Sequence, residues 1–314
     1  MTQERVFVGI DVAKARLDVH LYPACQALTV SNDKAGMRAL TKHLGKQNAV
    51  VALEASGGYE KPVARRLTKS GFPVYVLDPA QVRAFARGLR RHAKTDAIDA
   101  GTIARCLAAT IDEAVVYHPD PLAERLSALV SFRAKLVAES AALKGYRDTI
   151  NEPTVRRMVQ ARLLSLKLSV IRLDKEIATL IAGSERLLDR FRLLVSVPGV
   201  GPVLASTLLA LLPELGRISS KAVAALVGVA PFNRQSGRLD RGGHCHGGRR
   251  QIRSVLYMAT LSAIRCANPA IATFYERLRR NGKPAKPAIV AAMRKLITIL
   301  NAMARDHTPW IQHA

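Results

Sequence analysis

The sequence predicts an α/β amino-terminal domain over residues 1–115, a central helical coiled-coil region over 116–188 and a mainly α-helical carboxy-terminal domain over 189–314. Three observations predict it. Short apolar runs alternate with helical spacings through the first hundred or so residues. A sustained apolar heptad runs from Val159 to Leu180. Beyond Gly201 only four acids (Glu214, Asp240, Glu276 and Asp306) stand against a long series of arginines and lysines.

In the first zone RVFVGID is a strand candidate, and LDVHLY and ALTV alternate closely enough to be two more. SNDKAGMRALTKHL offers a capping residue and then Met37, Leu40 and Leu44 at helical spacing. AVVALE is a short strand ending at Glu54, and Gly57 and Gly58 break the chain before a helix carrying Val63 and Leu67. FPVYVLD is a further strand, followed by a helix from Pro79. Three early strands followed by β–α alternation fit a mixed sheet flanked by helices. GIDVAK has no glycine-rich phosphate turn, which disfavours dinucleotide binding.

Pro153 marks the break between the two long helices of the second zone. The second helix carries Val159, Leu163, Leu166, Val170, Leu173, Ile177 and Leu180, a heptad seam that needs a partner. The first repeats it roughly at Leu122, Leu126, Leu129 and Leu136. A dimerising stalk and an intramolecular bundle both satisfy this pattern. The third zone predicts helices at 203–212, 219–227, 249–267, 270–280 and 286–304, with a polar, glycine-rich insert between Phe232 and Arg249. SVPGVGPVLAS reads either as a helix-hairpin-helix element that offers backbone N–H groups to phosphate or as a buried helical corner.

The bulk numbers narrow the partners. Forty-eight Lys and Arg against 24 Asp and Glu leave a formal charge of +24, which favours a polyanion. No uninterrupted apolar run approaches the roughly 18 residues of a membrane span, so no membrane partner is expected. The start, MTQERVFVGID, lacks a signal-like pattern, and cysteines at 25, 106, 245 and 266 are too scattered for a disulfide framework, which suits a cytoplasmic location.

Against that positive background four acids stand out. Asp11 and Glu54 end two apolar strands, where side chains emerge side by side at a sheet edge. Asp96 and Asp99 lie three apart in KTDAIDA, on one helical face, with Thr95 as a cap. Like charges so placed repel, and a hard cation held by oxygen ligands is the usual remedy. Two ions about 4 Å apart would suit phosphodiester chemistry. Each acid also has an ordinary explanation as turn or helix-start chemistry, and spaced acids alone are weakly specific.

GIDVAK, LEASGGYE, HAKTDAIDA and GVAPFNRQSGRLDRGG, in that order, resemble the motifs of the DEDD transposases of the insertion sequence 110 family, which includes Piv-type DNA invertases. The resemblance spans nearly the whole chain. It implies a RuvC-like (ribonuclease-H-like) amino-terminal domain, a coiled-coil region and a carboxy-terminal transposase domain. It carries the acidic catalytic and metal-binding roles onto Asp11, Glu54, Asp96 and Asp99, and a nucleophilic serine onto Ser236. It further implies Mg2+, donor and target DNA, a structured bridge RNA as guide, and homo-oligomers built of dimers on DNA, in a bacterial or archaeal cytoplasm at the nucleoid.

By its residues alone, Ser236 is a Ser-Gly turn, since a hydroxyl needs activation to attack. Arg234, Arg238 and Arg241 surround it, Arg249 and Arg250 follow, and guanidinium forks suit phosphate oxygens. Arg83, Arg87, Arg90, Arg91 and Lys94 crowd the approach to KTDAIDA and are the second candidate nucleic-acid surface. His244, Cys245 and His246 are too tightly spaced for an ordinary zinc site. Three readings follow: an RNA-guided recombinase acting through a serine-linked intermediate, a metal-dependent nuclease or junction resolvase in which water attacks, and a non-catalytic nucleic-acid scaffold.

Overall fold

The computed structural model describes residues 5–45, 47–89, 96–236, 239–245, 247–265 and 268–311, with the backbone alone at 96–98, 232–236 and 239–244. Arg90, Arg91, Lys94 and Arg238 therefore lie outside the described residues. Chain contacts divide the protein into two compact units, Met1–Pro119 and Asp120–Ala314.

The first unit is a mixed five-stranded sheet. Strands β1 (Val6–Val12), β2 (Arg16–Tyr22) and β3 (Gln26–Ser31) run antiparallel, while β4 (Ala49–Glu54) and β5 (Val74–Leu77) pair parallel on the other side of β1, in the order β3-β2-β1-β4-β5. This is the mixed sheet flanked by helices that three early strands and the following β–α alternation predict. Alternation assigns the two faces, because successive side chains of a strand point opposite ways. Val8, Ile10 and Val12 of β1 and Val51 and Leu53 of β4 pack with Met37, Leu40 and Leu44 of α1 (Lys34–Leu44) and Val63 and Leu67 of α2 (Glu60–Lys69). The opposite set, Val50, Ala52, Tyr75 and Leu77, packs with Val82 of α3 (Pro79–Gly88) and with Ile103, Cys106 and Leu107 of α4 (Asp96–Thr110). Asp33 caps α1 through the N–H groups of Ala35 and Gly36, both 2.8 Å away, and Asp78 caps α3 through Ala80 N at 2.6 Å.

The second unit begins with two long helices, α5 (Pro121–Thr149) and α6 (Pro153–Ala182), each with proline in its first turn and an acid, Asp120 or Glu152, as cap. They lie antiparallel, and their ion pairs show it: Arg125 reaches Glu176, Arg133 reaches Asp174 and Glu139 receives Arg162, so partners descend along one helix as they ascend the other. The seam residues Val159, Leu163, Leu166 and Ile177 are buried in the chain on its own. Leu164, Leu168 and Ile171, beside that seam, are about half exposed at 56%, 48% and 54%.

Helices α7 (Glu185–Val195), α8 (Pro202–Leu211), α9 (Ser220–Val227), α10 (Arg250–Arg265), α11 (Pro269–Arg280) and α12 (Ala285–Asp306) complete the unit. One core cluster joins Leu126 and Val130 of α5 and Ile181 of α6 to Leu208, Val227, Leu256, Ile271 and Leu296. At the PGVGP turn, Gly199 has φ +92° and a Cβ there would meet the Ala263 backbone, while Gly201 is exposed. The insert is a hairpin, with β6 (Pro231–Ser236) antiparallel to β7 (Leu239–Cys245). Among the described helices, α12 is long and apolar enough to cross a membrane by length and composition. Its apolar face is core here: Met293, Leu296, Ile297 and Leu300 are buried, with Arg294 and Lys295 interrupting the run.

Candidate functional site

Sheet register brings the first two acids together. Ile10 of β1 pairs with Leu53 of β4, so Asp11 and Glu54 are the next residues at the carboxyl ends of two adjacent parallel strands. Open sheets characteristically bind ligands there. Both fall on the α4 face by alternation: Glu54 continues Val50 and Ala52, and Asp11 follows Gly9 by two.

Gly9 sets the third acid. A Cβ built on Gly9 would lie 2.5 Å from the Ala104 N of α4 and nearer still to the Ala100 carbonyl oxygen, so helix and strand touch backbone to backbone. Asp99 precedes Ala100 and thus stands over the end of β1. The same helix is fastened to β2, with the His20 ring 3.5 Å from where a Gly101 Cβ would be and the Arg105 guanidinium 5.4 Å from the Tyr22 ring centre.

Asp11 and Glu54 both feel neighbouring carboxylates. Burial first, then the charges of Asp99 and Asp18, push the Asp11 carboxyl above the ordinary aspartate range, against the Val12 N–H and Arg16. For Glu54 burial is again the largest influence. Arg83 opposes it, Asp11, Asp99 and Asp78 add to it, and the net shift is upward. Asp18, opposite Asp11 across β2, is already engaged by Arg16 Nε at 2.9 Å and Thr29 Oγ1 at 2.7 Å. Among the described residues, no group of three or more His, Cys, Asp or Glu side chains is drawn together closely enough to hold a metal ion as it stands. Asp96 opens α4 one turn before Asp99, with its side chain outside that description. The donor set is nevertheless of the kind a hard divalent cation takes: partly buried carboxylates, all oxygen, with mutual repulsion to relieve.

Sequence reasoning missed two residues that build this corner. One is Gly9. The other is Glu60, 6% exposed, whose Oε2 accepts from Ser56 N (3.1 Å), Ser56 Oγ (3.1 Å) and Gly58 N (2.8 Å). It ties down the turn after Glu54, where Gly57 and Gly58 take φ +73° and +114°. An acid six residues after Glu54, beyond a Gly-Gly pair, is a signal that local reading could have caught.

Of the expected basic residues, Arg83 acts on Glu54 and Arg87 is exposed on α3. Arg234 pairs with Arg241 across the hairpin, and Ser236 pairs with Leu239. Arg249 is committed inside its own unit: its guanidinium donates to both Glu214 oxygens, at 2.7 and 2.5 Å, and to the Leu211 carbonyl at 2.8 Å. Arg250 is exposed at the start of α10.

Residues 8–147 match an IS110 DEDD profile described as a transposase, and residues 191–276 match the profile described as the transposase of the IS116/IS110/IS902 family. The pilin gene-inverting protein of Moraxella bovis is 29% identical over 327 residues, covering 98% of each chain. An IS900 insertion-element protein of Mycobacterium paratuberculosis is 34% identical over 146 residues, 44% of this chain and 36% of that protein. A T. thermophilus RuvC chain solved with a Holliday junction substrate superposes at 18% identity with a TM-score of 0.29, covering 36% of this chain and 100% of that one, too remote to bear on chemistry. With both profiles and a full-length relative in agreement, the chain is an enzyme of the transposase/recombinase class, and its two matched segments are similar to the IS110/IS116/IS902 family.

Proposed function

We propose that this enzyme cleaves DNA phosphodiester bonds during strand exchange, with a divalent cation such as Mg2+ held by Asp11, Glu54 and Asp99 together with Asp96. The convergence of three partly buried, mutually repelling carboxylates at the ends of β1, β4 and the α4 face supports this reading most. A bound cation would supply the neutralising charge and polarise the scissile phosphate. The chain's own residues do the rest. Gly9 sets the height of α4 above β1, Glu60 holds the turn that follows Glu54, and Arg83 offers a guanidinium at the same sheet edge. Water is the nucleophile: its oxygen forms the new bond to phosphorus, the bridging P–O bond breaks, and the departing oxygen takes a proton.

A second reading, attack by Ser236 with a phosphoserine-linked strand, draws on the place of Ser236 in the last pair of the β6–β7 hairpin, beside arginines. Guidance by a structured bridge RNA and assembly of copies through the α5–α6 face belong to the same proposal. The charge of +24 and the exposed Leu164, Leu168 and Ile171 support them.

The test incubates the full-length protein with branched donor–target DNA, with and without the RNA transcribed from the flanking sequence, in Mg2+ or EDTA. Products are resolved under denaturing conditions. Mg2+-dependent cleavage that Asp11→Asn and Glu54→Gln lose and Ser236→Ala keeps supports the water reading. A protein–DNA adduct that Ser236→Ala abolishes transfers the nucleophile to the serine. Undiminished cleavage by Asp11→Asn sinks the carboxylate site, and equal cleavage without RNA sinks the guide.

A further inference from the structure

Helices α11 and α12 and the segment after α12 enclose an open cavity of about 720 Å3 in the second unit. Its walls are mainly apolar, with Phe274, Ile299, Met303 and Trp310 among them, yet two cations share it. The Lys295 ammonium stands 4.8 Å and the Arg277 guanidinium 5.5 Å from the centre of the Phe274 ring. Ala270 O accepts one hydrogen bond from Lys295 at 2.8 Å. Burial, and then the Arg277 charge, depress the Lys295 ammonium below its ordinary pKa, so an anion here would be welcome. The wall's own carboxylate, Asp306, is taken by Arg305 through bonds of 2.8 and 2.9 Å.

Trp310 supplies an independent pointer. Its backbone N–H donates to Ser196 Oγ at 3.0 Å, which anchors the residue, while its ring Nε1 is buried with no hydrogen-bond partner. A buried donor left unmade is costly, and an acceptor brought by a ligand would satisfy it. Anion, flat ring and acceptor together describe a nucleotide: every base has a face to stack and edge atoms that accept. The volume lies within the range of roughly 300–1,000 Å3 usual for ligand pockets.

We propose that this cavity is a subsite for one unpaired nucleotide of a nucleic-acid strand, its phosphate against Arg277 and Lys295 and its base against Phe274 and the indole N–H of Trp310. The proposal shares with the function above only the premise that the partner is nucleic acid. It uses neither the carboxylates nor a metal.

Trp310 is the chain's sole tryptophan, so its emission reports on this cavity alone. The full-length protein is titrated with deoxyadenosine 5′-monophosphate and with a short single-stranded oligonucleotide. Both should shift Trp310 emission saturably, inorganic phosphate at matched ionic strength should not, and Lys295→Met should weaken the response by about tenfold or more. Arg277→Gln, at an exposed position, gives the same reading should Lys295→Met fail to fold. Asp11→Asn should leave the titration unchanged, which separates this subsite from the cleavage site. Emission unmoved by saturating nucleotide, an equal response to inorganic phosphate, or full response in a folded Lys295→Met or Arg277→Gln variant overturns the proposal.

Discussion

Replacing Gly9 with alanine should move a helix rather than merely fill a space. The new Cβ would sit 2.5 Å from Ala104 N, and closer to the Ala100 carbonyl, where ordinary contact needs about 3.5 Å. Both obstructing atoms are backbone, so no rotamer change relieves them, and α4 must rise by roughly 1 Å over β1. Asp99 rises with it, away from Asp11 and Glu54. Overpacking of this kind costs about 1–3 kcal/mol of stability, and a 1 Å misplacement at a reacting centre costs on the order of 100-fold in rate. Denaturant unfolding and Mg2+-dependent cleavage of branched DNA read the two effects separately. Val8→Ala is the control: Val8 is fully buried on the opposite face, so it should lose about 1–3 kcal/mol by cavity formation while leaving α4 in place and the cleavage rate near wild type. If Gly9→Ala matches wild type in both assays, or loses no more activity than Val8→Ala at equal loss of stability, the claim that this glycine sets the spacing of the acids is wrong.

Glu60→Ala removes the acceptor shared by Ser56 and Gly58 and should cost about 1–3 kcal/mol together with cleavage activity. Glu60→Gln, which keeps an acceptor oxygen, should restore part of both, and equal damage from the two variants would deny it a positioning role. Asp11→Asn should fold at least as stably as wild type at neutral pH without divalent ions, since it removes a charge that burial and Asp99 disfavour, and a lower melting temperature would contradict that. At Glu214, burial alone would raise the carboxyl, but the Arg249 hydrogen bonds outweigh it and the net shift is downward. The advantage of wild type over Glu214→Gln should therefore be complete above the unfolded glutamate pKa of about 4.3 and vanish as pH falls through the lower folded value. Thermal melts between pH 3 and 7 check this, and a gap independent of pH refutes it. Replacing Leu164 and Leu168 by glutamate should abolish self-association in sedimentation while preserving helicity, and an unchanged oligomer would place the interface elsewhere.

The places of Asp11 and Glu54 in the sheet were legible because strand alternation is written locally. Val8, Ile10 and Val12 mark one face, so Asp11 must belong to the other, and AVVALE puts Glu54 on that same side. What completes the corner was not legible, because it depends on where α4 lands: nothing in the period of VFVGID announces that Gly9 receives a helix some ninety residues on. The β6–β7 hairpin escaped for a different reason. Its Arg, Gln and Gly residues are poor strand formers, and only the ladder from Pro231↔Cys245 to Ser236↔Leu239 reveals it. Arg249 looked like a phosphate contact because its partner Glu214 stands 35 residues away. The heptad from Val159 announced the need for a partner correctly, and much of that need is met by α5, the preceding helix, which a period alone cannot choose.

The two long helices carry a thermodynamic consequence. Thirty residues make α6 about 45 Å long, and of the two helices' buried residues Leu126, Val130, Ile177 and Ile181, near its far end from Pro153 and the matching start of α5, join the large cluster, with Leu122, Leu129 and Leu180 packed against it at the same end. Leu136, Val159, Leu163 and Leu166 are buried but belong to none of the three clusters, so the distal half is held by its own two helices and by ion pairs at the surface. Amide protons there should exchange through openings that leave the base intact, well below the free energy of global unfolding. On this reasoning the pair of helices should behave as a rod whose root is part of a domain and whose tip opens as a separate, softer cooperative unit. A partner docked on Leu164, Leu168 and Ile171 would stiffen that tip as it binds.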